Sequence, residues 1–221
     1  MKRIYLIPVA HISKISVKTV NESIIQISPQ VVCVELCYSR FRGLMSNKKR
    51  LIPTLNPLHL ILYYFQQMIG MAAKAEPGEE MKAAAVTAYN NKIKVALIDM
   101  PIQYIMKGLS NVPLSEWLTA LFKKEKVEFE ISKALEKGDV MYALSPEKIE
   151  MIIEKFRLVL PNVHKIMIED RNIYMVKNIE KILENHDTII CVIGAGHLPG
   201  MWKLLKQTYK NNLMVDIIWP N

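Results

Sequence analysis

A chain of 221 residues with 51% hydrophobic and 23% charged residues can fill one sizeable core, which excludes a disordered or fibrous chain and makes a single domain the expectation. The net charge of +8 comes mainly from lysines spread through helical segments, with Lys48-Lys49-Arg50 as the tight cluster and no aromatic residues interleaved, so nucleic-acid binding is not expected. Cys33, Cys37 and Cys191 are odd in number and two lie in apparent strands, as suits buried thiols in a reducing compartment, and a cytoplasmic location is expected.

The opening MKRIYLIPVAHIS puts basic residues before an apolar run, but the run is too short for a leader and leads into His11 instead of a cleavage site. Arg3 to Val9 is the first predicted strand. Val17, Val20, Ile24 and Ile27 then recur at helical spacing, with Ser13 placed as the cap and Ser28-Pro29 as the stop, and a second strand is expected from Val31 to Leu36. This is a β-α-β unit.

Leu58 to Ala73 is apolar but interrupted by His59, Gln66 and Gln67, and it falls short of the roughly 20 residues that a membrane span needs. It reads as a buried or interfacial helix and a candidate homodimer interface. Glu79 opens an Ala-rich helix after Pro77-Gly78, where carboxylates face the positive end of the helix dipole, and a strand is expected from Val95 to Asp99. Pro101 to Asp187 shows helix signals only, including Ser145-Pro146-Glu147 as a capped start. A fourth strand, Thr188 to Gly194, a helix over Met201 to Tyr209 and a fifth strand, Leu213 to Trp219, complete the chain.

These elements predict an α/β fold with a mainly parallel central sheet flanked by helices. It is one domain over residues 1–221, with a core of 1–100 and 188–221 and a helical insertion or cap at about 101–187.

In an open parallel sheet, ligands bind beyond the carboxyl ends of the strands. Pro8-Val9-Ala10-His11 and Gly194-Ala195-Gly196-His197 both follow a strand and precede a helix, so His11 and His197 are predicted to share one cleft. Glu35 interrupts an apolar strand, where an ionised carboxylate requires a partner, with Arg40 and Arg171 as the ion-pair candidates. Asp99 closes its strand in the same way. By composition alone, Glu169-Asp170-Arg171 is a solvated charged face. The glycine-rich turn at 194–200 has GxGxxxG spacing, not the GxGxxG of dinucleotide sites, and no GxxxxGK[ST], HExxH, GxSxG or paired CxxC motif occurs in the sequence.

Taken together, PVAHISKISV and PQVVCVELCYSRF resemble the opening of TraB domains. GEEMKAA, ALIDMPIQ, EDRNIYM and VIGAGHLPG follow in the order that family has, so the resemblance covers nearly the whole chain. The family includes the pheromone-shutdown proteins TraB and PrgY. It is related to the Tiki metalloproteases and, more distantly, to erythromycin esterases and the haem-binding lipoprotein ChaN. The resemblance implies a metal-dependent, peptidase-like hydrolase acting on a peptide or small-molecule substrate. It points to His11, His197 and Glu35 as ligands of Mn, Co or Zn, and to Glu35, Glu80, Arg40 and Arg171 as the catalytic set.

Three positions depart from the family pattern: Pro8 stands where the first motif has Gly, and Met100 and Pro101 replace charged residues. Many prokaryotic relatives carry membrane segments after this domain, whereas this sequence stops at Trp219-Pro220-Asn221. The departures favour a rival reading, a non-catalytic peptide-binding or homo-oligomeric scaffold or regulatory protein. A third reading is a metal-free, esterase-like hydrolase using a His and Glu pair.

Overall fold

A computed structural model of the chain describes residues 2–9, 14–46, 78–118, 145–209 and 212–220. His11, Ser13, the basic cluster at 48–50 and the apolar stretch 58–73 lie outside the described residues.

The described elements are β1 (Lys2–Val9), α1 (Lys14–Ile27), β2 (Val31–Val34), α2 (Tyr38–Met45), α3 (Glu79–Asn90), β3 (Lys94–Leu97) and α4 (Ile102–Ser110). They continue with α5 (Pro146–Val159), α6 (Pro161–His164), a π-helical turn Lys165–Glu169, α7 (Asp170–Leu183), β4 (Thr188–Gly194), a 3-10 turn Ala195–His197, α8 (Leu198–Tyr209) and β5 (Leu213–Ile217). The five strands form one sheet in the order β3-β2-β4-β1-β5, and every pairing is parallel. The α/β expectation, with a mainly parallel sheet flanked by helices, describes the molecule. β4, late in sequence, sits between β1 and β2, so its carboxyl end lies beside that of β2.

Strand alternation divides the core into two layers. Ile4, Leu6, Val31, Cys33, Ile189, Cys191 and Ile193 face α7 and α8, where Met175, Ile179, Leu183, Met201 and Leu205 meet them. Ile7, Val9, Val32, Val34, Ile190 and Val192 face α1 and α3, against Val20, Ile24, Met81, Ala84 and Ala88. Burying a large aliphatic side chain of this kind contributes about 1.5–3 kcal/mol. The central strands therefore read as continuous apolar runs. A third cluster, Ile105, Leu109, Ile152, Phe156, Leu160, Val163 and Ile168, holds α4, α5 and α6 together. Within the interval read as an insertion, α7 belongs to the layer that covers the sheet.

Three strand ends differ from the sequence reading. β2 stops at Val34 because Leu36 N–H turns back to the Val34 carbonyl at 2.7 Å, so Glu35 stands just beyond the strand. β3 ends at Leu97, two residues early. β5 ends at Ile217 instead of Trp219. Ile218 N–H donates to Leu6 O at 2.9 Å, so the next rung on this side of β1 falls to Pro8, which has no N–H to donate.

Candidate functional site

The carboxyl ends of β2, β3 and β4 carry a buried cluster of charge. Residues 31, 33 and 35 share one parity, so the chain turn after Val34 leaves Glu35 on the face covered by α7. Arg171 enters from α7. Its Nη2 donates to Glu35 Oε1 at 2.5 Å, and its Nε and Nη2 grip Asp99 Oδ1 and Oδ2 at 2.9 and 3.0 Å. Nη1 donates to Met167 O at 3.1 Å, so every nitrogen of the guanidinium is engaged. Arg40 Nη1, from α2, donates to Asp99 Oδ2 at 2.7 Å, and Met100 N–H donates to Asp99 Oδ1 at the same distance.

Two carboxylates thus meet two guanidiniums with no net formal charge, which offsets the large cost of burying any one of them alone. Burial opposes ionisation of Glu35, but His197, Arg171 and Arg40 outweigh it and hold the carboxyl well below the usual carboxylate range. Burial likewise works against the Arg171 charge, while Asp99 and then Glu35 raise its pKa above the ordinary value.

The turn after β4 supplies the rest. Gly194 N–H donates to Glu35 Oε2 at 2.5 Å, and a Cβ at Gly194 would lie 3.1 Å from that oxygen, so the carboxylate rests where a side chain would otherwise stand. His197 is buried, with Nε2 at 3.3 Å from Glu35 Oε1 and Nδ1 at 2.7 Å from Asn172 Oδ1. Asn172 follows Arg171 on α7 and is itself 2% exposed.

Of the residues singled out in the sequence, Glu35, Arg40, Arg171 and His197 come together here. Glu80 is buried in the first turn of α3, the helix on the opposite face of the sheet from α7. His11 lies outside the described residues, and among those described no three His, Cys, Asp or Glu gather to hold a metal ion.

The solvated reading of Glu169-Asp170-Arg171 is wrong at Arg171, which is 6% exposed. Two further members complete the cluster: Asp99, which the sequence marks as a strand-end carboxylate outside the expected catalytic set, and Asn172, which it does not mark. The signal for Arg171 and Asn172 is periodic: 171, 172, 175, 176, 179 and 183 form one helical stripe, and these two are its polar positions. Polar groups at core positions of a helix require partners, and these have them.

The TraB/PrgY/gumN family model matches residues 1–215. The chain belongs to that family. An uncharacterised protein of Methanocaldococcus jannaschii is 28% identical over 95% of this chain and 55% of its own length. The TraB domain-containing proteins of Mus musculus and Homo sapiens are each 22% identical over 91% of this chain and 62% of theirs. The chain therefore spans little more than half the length of these TraB relatives. Among the described residues, no helix is long and apolar enough to cross a membrane.

Proposed function

We propose that this TraB-family chain is a metal-dependent hydrolase of peptide or related amide bonds. The reading rests on one observation: His197 Nε2 and Glu35 Oε1 face each other at 3.3 Å while Nδ1 is tied back to Asn172 Oδ1. With Nδ1–H donated to Asn172, the neutral ring turns a lone pair toward the Glu35 carboxylate, an arrangement that a cation stabilises as does the ring proton by which His197 holds Glu35 low. An imidazole nitrogen with a carboxylate oxygen suits Mn²⁺, Co²⁺ or Zn²⁺, and His11 is the third proposed ligand. When bound, such an ion supplies an activated water and a polarised carbonyl.

The remaining roles fall to the chain's own groups. Glu80 is the proposed base. Arg40, with its side chain 35% exposed, is the guanidinium placed to meet a substrate oxyanion, whereas the fully engaged Arg171 holds Glu35 and Asp99 in position. The helical cover built from α4, α5 and α6 is the proposed determinant of substrate size.

A second reading is favoured by Arg171 already occupying Glu35 Oε1: a metal-free hydrolase in which His197, backed by Glu35, is the base. Calorimetry with Mn²⁺, Co²⁺ and Zn²⁺ on wild type and His197→Ala, with a peptide-library assay before and after chelation, separates the two. The metal reading expects uptake and cleavage that both vanish in His197→Ala and on chelation. Cleavage surviving chelation supports the metal-free reading, and no cleavage under any ion rejects both.

A further inference from the structure

We infer that Asn172 is a positioning residue that selects the Nδ1–H form of His197, and that Gly200 is glycine because the Asn172 amide occupies the space of its side chain. The inference deepens the reading of His197 as a nitrogen ligand, but it rests on separate contacts. Asn172 Oδ1 lies 2.7 Å from His197 Nδ1, both residues are at least nine-tenths buried, and the pair bridges α7 and the turn before α8. An imidazole in water favours the Nε2–H tautomer. With that form, Nε2–H would point at Glu35 Oε1 and close the edge that a cation would use. Asn172 Oδ1 holds Nδ1 at 2.7 Å, whereas Glu35 is 3.3 Å from Nε2 and its two oxygens already accept from Arg171 and Gly194, so the nearer acceptor reverses the preference and leaves the Nε2 lone pair on the Glu35 side.

Gly200 supplies the independent observation. It sits in the first turn of α8, where alanine would favour the helix by roughly 1 kcal/mol, yet a Cβ there would fall on the Asn172 amide nitrogen. No positive φ calls for glycine at this position. The close approach of Asn172 therefore accounts for it, and the amide is confined between Gly200 and His197. A methyl group at 200 would push the end of the Asn172 side chain away without removing either partner of the hydrogen bond.

The test is nitrogen NMR of metal-free protein labelled with ¹⁵N-histidine, at a pH where the ring is neutral, with His197 assigned from the His197→Gln spectrum. Wild type should show a protonated Nδ1 and an unprotonated Nε2. Asn172→Leu, which keeps the branched shape but removes the acceptor, should move His197 to the Nε2–H form. Gly200→Ala should move it the same way, and Asn172→Asp should keep Nδ1 protonated. A wild-type Nε2–H signal, or an Asn172→Leu spectrum like wild type, overturns the inference. Should Asn172→Leu fail to fold, Gly200→Ala decides alone, a wild-type tautomer in it being the overturning result. If a metal binds, Asn172→Leu should weaken it by about 10- to 100-fold and Asn172→Asp should not. Absence of metal binding in wild type would sink the proposed function and leave the tautomer result standing.

Discussion

Arg171 shows how much can hang on one side chain. It contacts two carboxylates that would otherwise be buried charges, at 2.5 Å to Glu35 and 2.9 and 3.0 Å to Asp99, and its own side chain is 7% exposed. Removing one partner of a buried ion pair costs about 3–5 kcal/mol, because the other partner stays buried without compensation. Arg171→Ala is therefore expected to lose that much in urea denaturation. Arg171→Lys should recover little, since an ammonium cannot reproduce a fork that reaches Glu35, Asp99 and the Met167 carbonyl together. Arg40→Ala should cost only about 1 kcal/mol, because Asp99 keeps the Arg171 fork and the Met100 N–H, and a partly exposed ion pair contributes little. Equal losses for Arg40→Ala and Arg171→Ala would show that the network is not organised around Arg171.

At the level of elements, the π-helical turn at Lys165–Glu169 joins two helices with different duties. Val163 and Ile168 face the α4–α5–α6 cluster, whereas Met175, Ile179 and Leu183 face the sheet. The extra residue in the turn lets one continuous helical path serve both clusters. Deleting Lys165, whose side chain is 59% exposed, should restore α-helical winding and rotate α6 by roughly 100° relative to α7. Hydrogen exchange should then quicken in α4, α5 and α6 while β1, β2 and β4 keep their protection. Uniform loss of protection would mean that the two clusters form a single cooperative unit.

The turn itself is invisible in KIMIEDRNIYM, whose apolar residues allow unbroken helical winding. The strands were legible because burial on both faces writes itself as β-branched runs. Their ends were less so, since β2 ends in a local turn at Leu36 and β5 ends where Pro8, far away in sequence, lacks a donor. Glu35 was legible as a charge that needed a partner. Asn172 was not, because a single amide within a polar tripeptide looks solvated until its place in the helical stripe is counted.

Over the whole molecule, two buried groups should govern the response to acid, in separate pH windows. Glu35 is held below its ordinary pKa, so its stabilisation is complete above the unfolded value of about 4.3 and is lost as pH falls through the lower, folded one. His164 acts earlier. It is 4% exposed and packs edge-on to Phe156 at 5.6 Å, and neither ring nitrogen has a hydrogen-bond partner among the described residues. Burial lowers its pKa despite Glu169, whose Oε1 lies 3.3 Å from Nδ1 without hydrogen-bond alignment, and Glu154, with Arg157 adding to the fall. The unfolded chain therefore takes up a proton near pH 6.5 that the folded chain refuses, and stability declines as pH falls below that value. A substitution that removes the titration should remove this part of the decline. His164→Leu also relieves two buried, unsatisfied nitrogens, each costing about 1–3 kcal/mol, against the loss of the Phe156 contact. Urea midpoints measured from pH 8 to pH 5 should show His164→Leu at least as stable as wild type at pH 8, with the gap widening as pH falls. Parallel curves for the two proteins across that range would mean that His164 titrates normally in the folded state and that the acid response lies elsewhere.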